Sequence, residues 1–179
     1  MSKIIRKAYF AWNLEKEKAF LEDMATKGYK LKKASFMKYE FEEIEPMNLS
    51  YQFDFRVLNK NKEKDYLSYF EDWEFICRFG SWYYFAKEIE EGHVDSSIFN
   101  DNKSKQAMFR RLILFLLLVG FPLYYQVIIF FPNMDYRDTT FPNFYFFFRI
   151  ITVLLMSIHL LVTLRFVFIY IKLGKSISE

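Results

Sequence analysis

The twenty residues from Leu112 to Phe131, LILFLLLVGFPLYYQVIIFF, carry no charge, and the charge-free run continues to Met134. A helix rises about 1.5 Å per residue, so this stretch spans roughly 30 Å, the thickness of a bilayer's hydrocarbon core. Leu, Ile, Phe and Val each favour insertion there by about 0.3–0.6 kcal/mol. The competing reading is a buried core helix, but such helices seldom run this long without a charge. The stretch therefore divides the chain into two parts that face different solvents.

Charge follows the same division. Residues 1–108 hold 18 Lys and Arg against 19 Asp and Glu, whereas residues 109–179 hold 7 against 3. The first part has the composition of an ordinary soluble domain with one modest core. The basic surplus belongs to the membrane flanks, which argues against a nucleic-acid partner. The single cysteine, Cys77, excludes an intramolecular disulfide. It lies in an apolar alternation with Trp73, Phe75 and Phe79, the setting of a buried, inert thiol. At the N-terminus Ile4 and Ile5 are followed at once by Arg6 and Lys7, so no signal-peptide core is expected.

Periodicity predicts an α+β fold over residues 1–91. Residues 3–12 read as a strand. Asn13 then caps a helix to about Lys27, with Glu15 and Glu17 in its acidic first turn and Leu14, Leu21, Met24 and Ala25 on its apolar face. Gly28 stops it. Two strands follow, around a turn at Ser35–Lys38. Tyr51, Phe53, Phe55 and Val57 mark a further strand. Tyr66, Leu67, Phe70 and Trp73 suggest a short helix, and Gly80–Ser81 a two-residue hairpin turn between two last strands.

This is strand–helix–strand–strand twice over, in residues 3–46 and 50–90. Leu31 aligns with Phe75, Tyr39 with Tyr83 and Phe41 with Phe85. Two such units are expected to form one sheet with both helices on one side. Strand Trp82–Ile89 carries aromatics on both faces, so it is covered on both or offers one to a partner. Trp12, Trp73, Trp82, Tyr83 and Tyr84 are the candidate surface for a protein partner or an amphipathic small molecule.

Residues 92–108 read as a polar linker in which Asn100 or Asp101 caps a helix continuing into the membrane segment. His93 has no second ligand nearby, and no metal or cofactor is expected. The duplicated domain is thus followed by a two-helix transmembrane hairpin over residues 109–175, with spans near 112–131 and 145–171. Lys103, Lys105, Arg110 and Arg111 precede the first span, and Lys172 and Lys175 follow the second. Positive charge marks the cytoplasmic side, so both termini are expected there, with the cell membrane as location. Pro122 is expected to kink the first span. Arg149 and Arg165 lie about 160° apart around the second helix, too far for one charged track. Thr152, His159 and Thr163 share a face, with Gln126 on the first span as a candidate partner for His159. Gln126, Arg149, His159 and Arg165 are the candidate intramembrane polar residues.

The segments LEDMATKGYKL, KYEFEEIEP, SYQFDFRV and YFEDWEFICRFGSWYYF resemble a bacterial family known only as domain of unknown function 2812. The resemblance covers nearly the whole chain. It implies a soluble domain followed by two hydrophobic segments, and genes beside PadR-like transcription regulators, hence a regulated envelope response. The family usually has Gly before the aromatic in the second unit, where this chain has Asp72 before Trp73. The doubled strand–helix–strand–strand order is also similar to gyrase-inhibitor-like ligand-binding domains, an analogy of fold alone.

Three functions are weighed. The favoured one is a membrane-anchored cytoplasmic sensor or interaction module. The alternative is a small transport or envelope-stress component acting through its spans, which requires a homo-oligomer because two helices cannot enclose a pore. An enzyme is not expected: no Cys–His or Ser–His pairing and no phosphate-cradling glycine loop occurs.

Overall fold

The computed structural model describes residues 2–70, 72–89, 102–135 and 141–178. The chain forms two compact units, residues 1–104 and 105–179. The linker stretch 92–101, with His93, Asn100 and Asp101, lies outside the described residues.

In the first unit, β1 (Ser2–Ile5), α1 (Leu14–Thr26), β2 (Tyr29–Ser35) and β3 (Lys38–Glu43) are followed by β4 (Leu49–Phe55), α2 (Lys60–Leu67), β5 (Glu74–Phe79) and β6 (Trp82–Glu88). They make two antiparallel three-stranded sheets, ordered β1-β3-β2 and β4-β6-β5. The fold is α+β. Each second strand breaks register once, between Leu31 and Lys33 in β2 and between Phe75 and Cys77 in β5.

The sheets meet along β2 and β5. Lys30 pairs with Glu74, and Cys77 interacts with the backbone of Ala34. The contacts rise together along both strands, so these edges run in the same direction. The helices cover opposite faces, not one face as the pattern suggested. Leu21, Met24 and Ala25 of α1 pack on Leu31, Phe41, Tyr51 and Ala86, spanning both sheets. Tyr66 of α2 packs on Tyr83 and Phe85, the opposite face of β6. Covered twice, β4 has no exposed residue.

Local departures have physical causes. The strand expected over 3–12 stops at Ile5, which pairs with Tyr39. One residue further the partner strand ends at the Phe36–Met37 turn, so no ladder remains. The second helix starts at Lys60, earlier than expected, because the Asn59 side chain accepts a hydrogen bond from the Lys62 amide at 3.0 Å. Phe70 and Trp73 arrive on turns beyond it. Gly28 holds φ +81, and a Cβ there would meet the Ile44 carbonyl at 2.9 Å. Gly80 holds φ +60 in the expected hairpin turn.

The second unit contains α3 (Asn102–Tyr125), a π-helical turn at Gln126–Phe130, a 3-10 turn at Phe131–Asn133, and α4 (Pro142–Ser178). Both helices are long and apolar enough to cross a membrane, and little of either is buried inside the structure. Leu118 is 74% exposed and Leu161 69%. A soluble core helix would hide such residues. Pro122 lacks the amide that would close its helical turn, and the π-helical turn follows it within four residues.

The two helices pack against each other at named points. Gln106 Nε2 donates to the Tyr170 carbonyl at 3.3 Å. Phe109 lies against Phe166, and Phe131 meets Phe148 edge-on. Between them His159 lies on Gly120, where a Cβ would come within 2.9 Å of both ring nitrogens. Gly120→Ala is therefore expected to lower the thermal stability of the full chain in detergent by about 1–3 kcal/mol, the usual cost of overpacking. His159→Ala should cost less in that background than alone, a coupling that a double-mutant cycle reads directly.

Candidate functional site

A cavity of about 200 Å³ opens in the first unit where α1 begins. Leu14 and Glu17 of α1 line it, with Tyr39 of β3, Phe53 of β4, and Trp82 and Tyr84 of β6. The segment Ala8–Ala11 and the Ser35–Met37 turn complete the wall. Lys7 ties these two stretches together, its amide donating to the Met37 carbonyl at 3.2 Å. Phe10, Phe36 and Met37 are exposed. Met37 also holds φ 55, a left-handed conformation that Gly or Asn adopts more readily. The turn thus accepts backbone strain while holding an apolar side chain at the cavity wall.

Glu17 is the one charged side chain among the described residues that line this cavity. It is only 5% exposed. Its Oε1 accepts hydrogen bonds from Tyr39 Oη at 2.7 Å and Tyr84 Oη at 3.0 Å. Oε2 takes part in neither bond. Burial raises the Glu17 pKa above its ordinary value, against the lowering effect of the Tyr39 and Tyr84 hydroxyls. Burial, followed by the nearby Glu17 carboxylate, pushes both phenols well above their ordinary range.

A second buried carboxylate shows what a fully paired one looks like in this fold. Asp54 is 1% exposed. Its Oδ1 accepts from the Phe55 amide at 2.8 Å, and its Oδ2 from Arg56 Nε at 2.8 Å and Tyr66 Oη at 2.7 Å. Asp54 has a guanidinium, whereas Glu17 has phenols only. A carboxylate kept from water costs several kcal/mol unless paired, so the two sites carry different electrostatic loads.

The aromatic residues singled out in the sequence do not share one surface. Trp82 and Tyr84 line the cavity. Tyr83 is fully buried on the opposite face, and Trp73 packs on the same α2 cluster. Trp12 stacks on Phe10, with centroids 4.8 Å apart. Glu17 was read only as a first-turn acid, although its spacing from Leu14, Leu21 and Met24 places a charge on the apolar face of α1 and was the signal that could have found it. Tyr39 and Phe53, which the alternation marks only as core, had no such signal.

In the second unit, His159 Nδ1 lies 3.0 Å from Tyr124 Oη and Nε2 lies 3.0 Å from the Leu116 carbonyl. A carbonyl can only accept, so Nε2 donates to Leu116, and Nδ1 shares the second bond with the Tyr124 hydroxyl. Both nitrogens are thereby used, and Gln126, on the π-helical turn, is not the partner. Thr152 and Thr163 are buried on the same face of α4. Arg149 and Arg165 are exposed. Arg149 lies 5.9 Å from the Phe131 ring centroid.

The raised Glu17 pKa makes a signed prediction. The folded state holds this proton above the ordinary value of 4.5, so its contribution to stability falls as pH rises from there through the folded pKa. Glu17→Gln removes that slope. The melting temperature of the variant should gain on the wild type with rising pH and converge with it under acid, in a pH series of thermal melts.

Neither a curated protein nor a solved structure matches the chain. A family model, described as a protein of unknown function (DUF2812), matches residues 13–121, from the cap of α1 into the first apolar helix. That is more than half of the 179 residues, and the chain belongs to the DUF2812 family.

Proposed function

We propose that the chain is a membrane-anchored binding module, in which the α+β unit takes an amphipathic small molecule into the cavity at the start of α1 and the two apolar helices hold it at the bilayer. The observation that carries the reading is an aromatic-walled cavity with a buried carboxylate inside it. Small-molecule sites combine apolar walls with a few placed polar groups in this way. The exposed apolar surface of α3 and α4 supports insertion, and Lys and Arg at the outer flanks of the hairpin support cytoplasmic termini. The shared element order, strand order and register break of the two sheets support duplication of one ancestral unit.

Action through the spans is the lesser reading. His159 is bonded within the hairpin at both nitrogens, which favours a packing role over a transport path. Catalysis is not part of the proposal. The one thiol, Cys77, is pushed up to about 11 by burial and would be a poor nucleophile. The setting that the family resemblance implies, a PadR-regulated envelope response, belongs to the proposal and not to the fold.

The test is a thermal-shift screen of amphipathic small molecules against the full-length protein in nonionic detergent. A ligand at a hundred times its Kd stabilises the folded state by about 2.7 kcal/mol. Trp82→Ala and Phe79→Ala should each weaken a hit at least tenfold with circular dichroism unchanged. Hits that ignore both variants, or a screen without hits, would contradict the reading.

A further inference from the structure

The geometry points to a compact lipophilic organic cation, an aryl- or alkyl-substituted ammonium, as the ligand class of this cavity, with Glu17 as its counter-charge. This rests on the reading of the cavity as a binding site and adds the ligand's charge. Three observations carry it. First, Glu17 is a buried carboxylate whose two hydrogen-bond donors are neutral and both fall on Oε1. Among the described residues no cation pairs with it, whereas Asp54 is paired with Arg56. An incoming cation would supply at Glu17 what Arg56 supplies at Asp54.

Second, the walls suit that charge. Tyr39 and Tyr84 bond the carboxylate, and Phe10, Phe53, Phe79 and Trp82 line the same cavity with further aromatic surface. Aromatic faces attract cations, most strongly where water is excluded. The fold already uses this preference nearby: Lys7 Nζ sits 4.4 Å from the Phe20 centroid and 5.2 Å from that of Tyr9. An anion would meet the carboxylate and the negative ring faces together. A neutral ligand would offer the ionised carboxylate no counter-charge.

Third, the exposed apolar residues Phe10, Phe36 and Met37 at the cavity suit a lipophilic body and not a hydrated inorganic ion. Oε2, outside the tyrosine bonds, is available to an ammonium. Entry of the cation favours the ionised carboxylate, which its burial otherwise disfavours.

The test uses benzyltrimethylammonium and its neutral carbon isostere, neopentylbenzene, titrated into the full-length protein in nonionic detergent and read by tryptophan fluorescence. The wild type should bind the cation at least tenfold more tightly than the isostere, a comparison that requires no variant. Glu17→Gln should weaken the cation at least tenfold and leave the isostere within twofold. Equal binding of both probes by the wild type, or cation binding untouched by Glu17→Gln yet lost in Trp82→Ala, would overturn the charge assignment while leaving the cavity reading in place. No binding of either probe up to millimolar concentration would overturn the assignment as well, and the thermal-shift screen would then decide the cavity reading separately.

Discussion

One helix has to cover two sheets. The β2 and β5 edges run in the same direction where they meet, so the two three-stranded sheets offer a shared face that α1 packs against. Leu21, Met24 and Ala25 make that contact along the middle and end of α1. Its first turn presents Leu14 and Glu17 to the rings of Tyr39, Phe53 and Tyr84. The cavity forms there, walled by the segment that leads into the helix and by the Phe36–Met37 turn. The same edge geometry sends α2 to the other face of β6, which is why β4 and β6 are buried from both sides.

That arrangement gives the two buried carboxylates their contrast. Asp54 faces α2 and is held by Tyr66 and Arg56. Glu17 faces the cavity and is held by tyrosine hydroxyls. A core under selection for stability alone would gain from an apolar residue at Glu17, since burying an unpaired charge is among the costliest substitutions a fold can carry. The strained Met37 turn beside it is a second local cost at the same place. Two unfavourable features thus meet at the cavity proposed as a ligand site, whereas in the second unit His159 and Tyr124 satisfy one another within a seam closed by Gly120.

Much of this was legible in the sequence wherever local chemistry decides. The charge-free run, the Gly28 stop, the Gly80–Ser81 turn and the alternation of β3 read correctly because side-chain period and turn geometry are local properties, whereas β4, whose alternation suggests a half-buried strand, is buried on both faces. The relation between the sheets was not legible, because whether two edges meet parallel or antiparallel depends on contacts 44 residues apart, such as Lys30 with Glu74. Helix placement followed that unknown, so the single covered side was the wrong expectation. Glu17 was read as a favourable first-turn acid, which it is, but its position on the apolar stripe was the stronger signal. His159 needed Gly120 and Tyr124, whose roles emerge only once the helices are paired.

Three tryptophans offer the most direct measurement. Trp82 lines the cavity, Trp12 stacks on a lining residue, and Trp73 lies in the α2 cluster on the opposite face. In the full-length protein carrying 5-fluorotryptophan, titration with benzyltrimethylammonium followed by fluorine NMR should shift the Trp82 resonance strongly, Trp12 weakly and Trp73 not at all. A shift confined to Trp73, or no shift at Trp82 while the cation binds, would contradict a site built around Glu17.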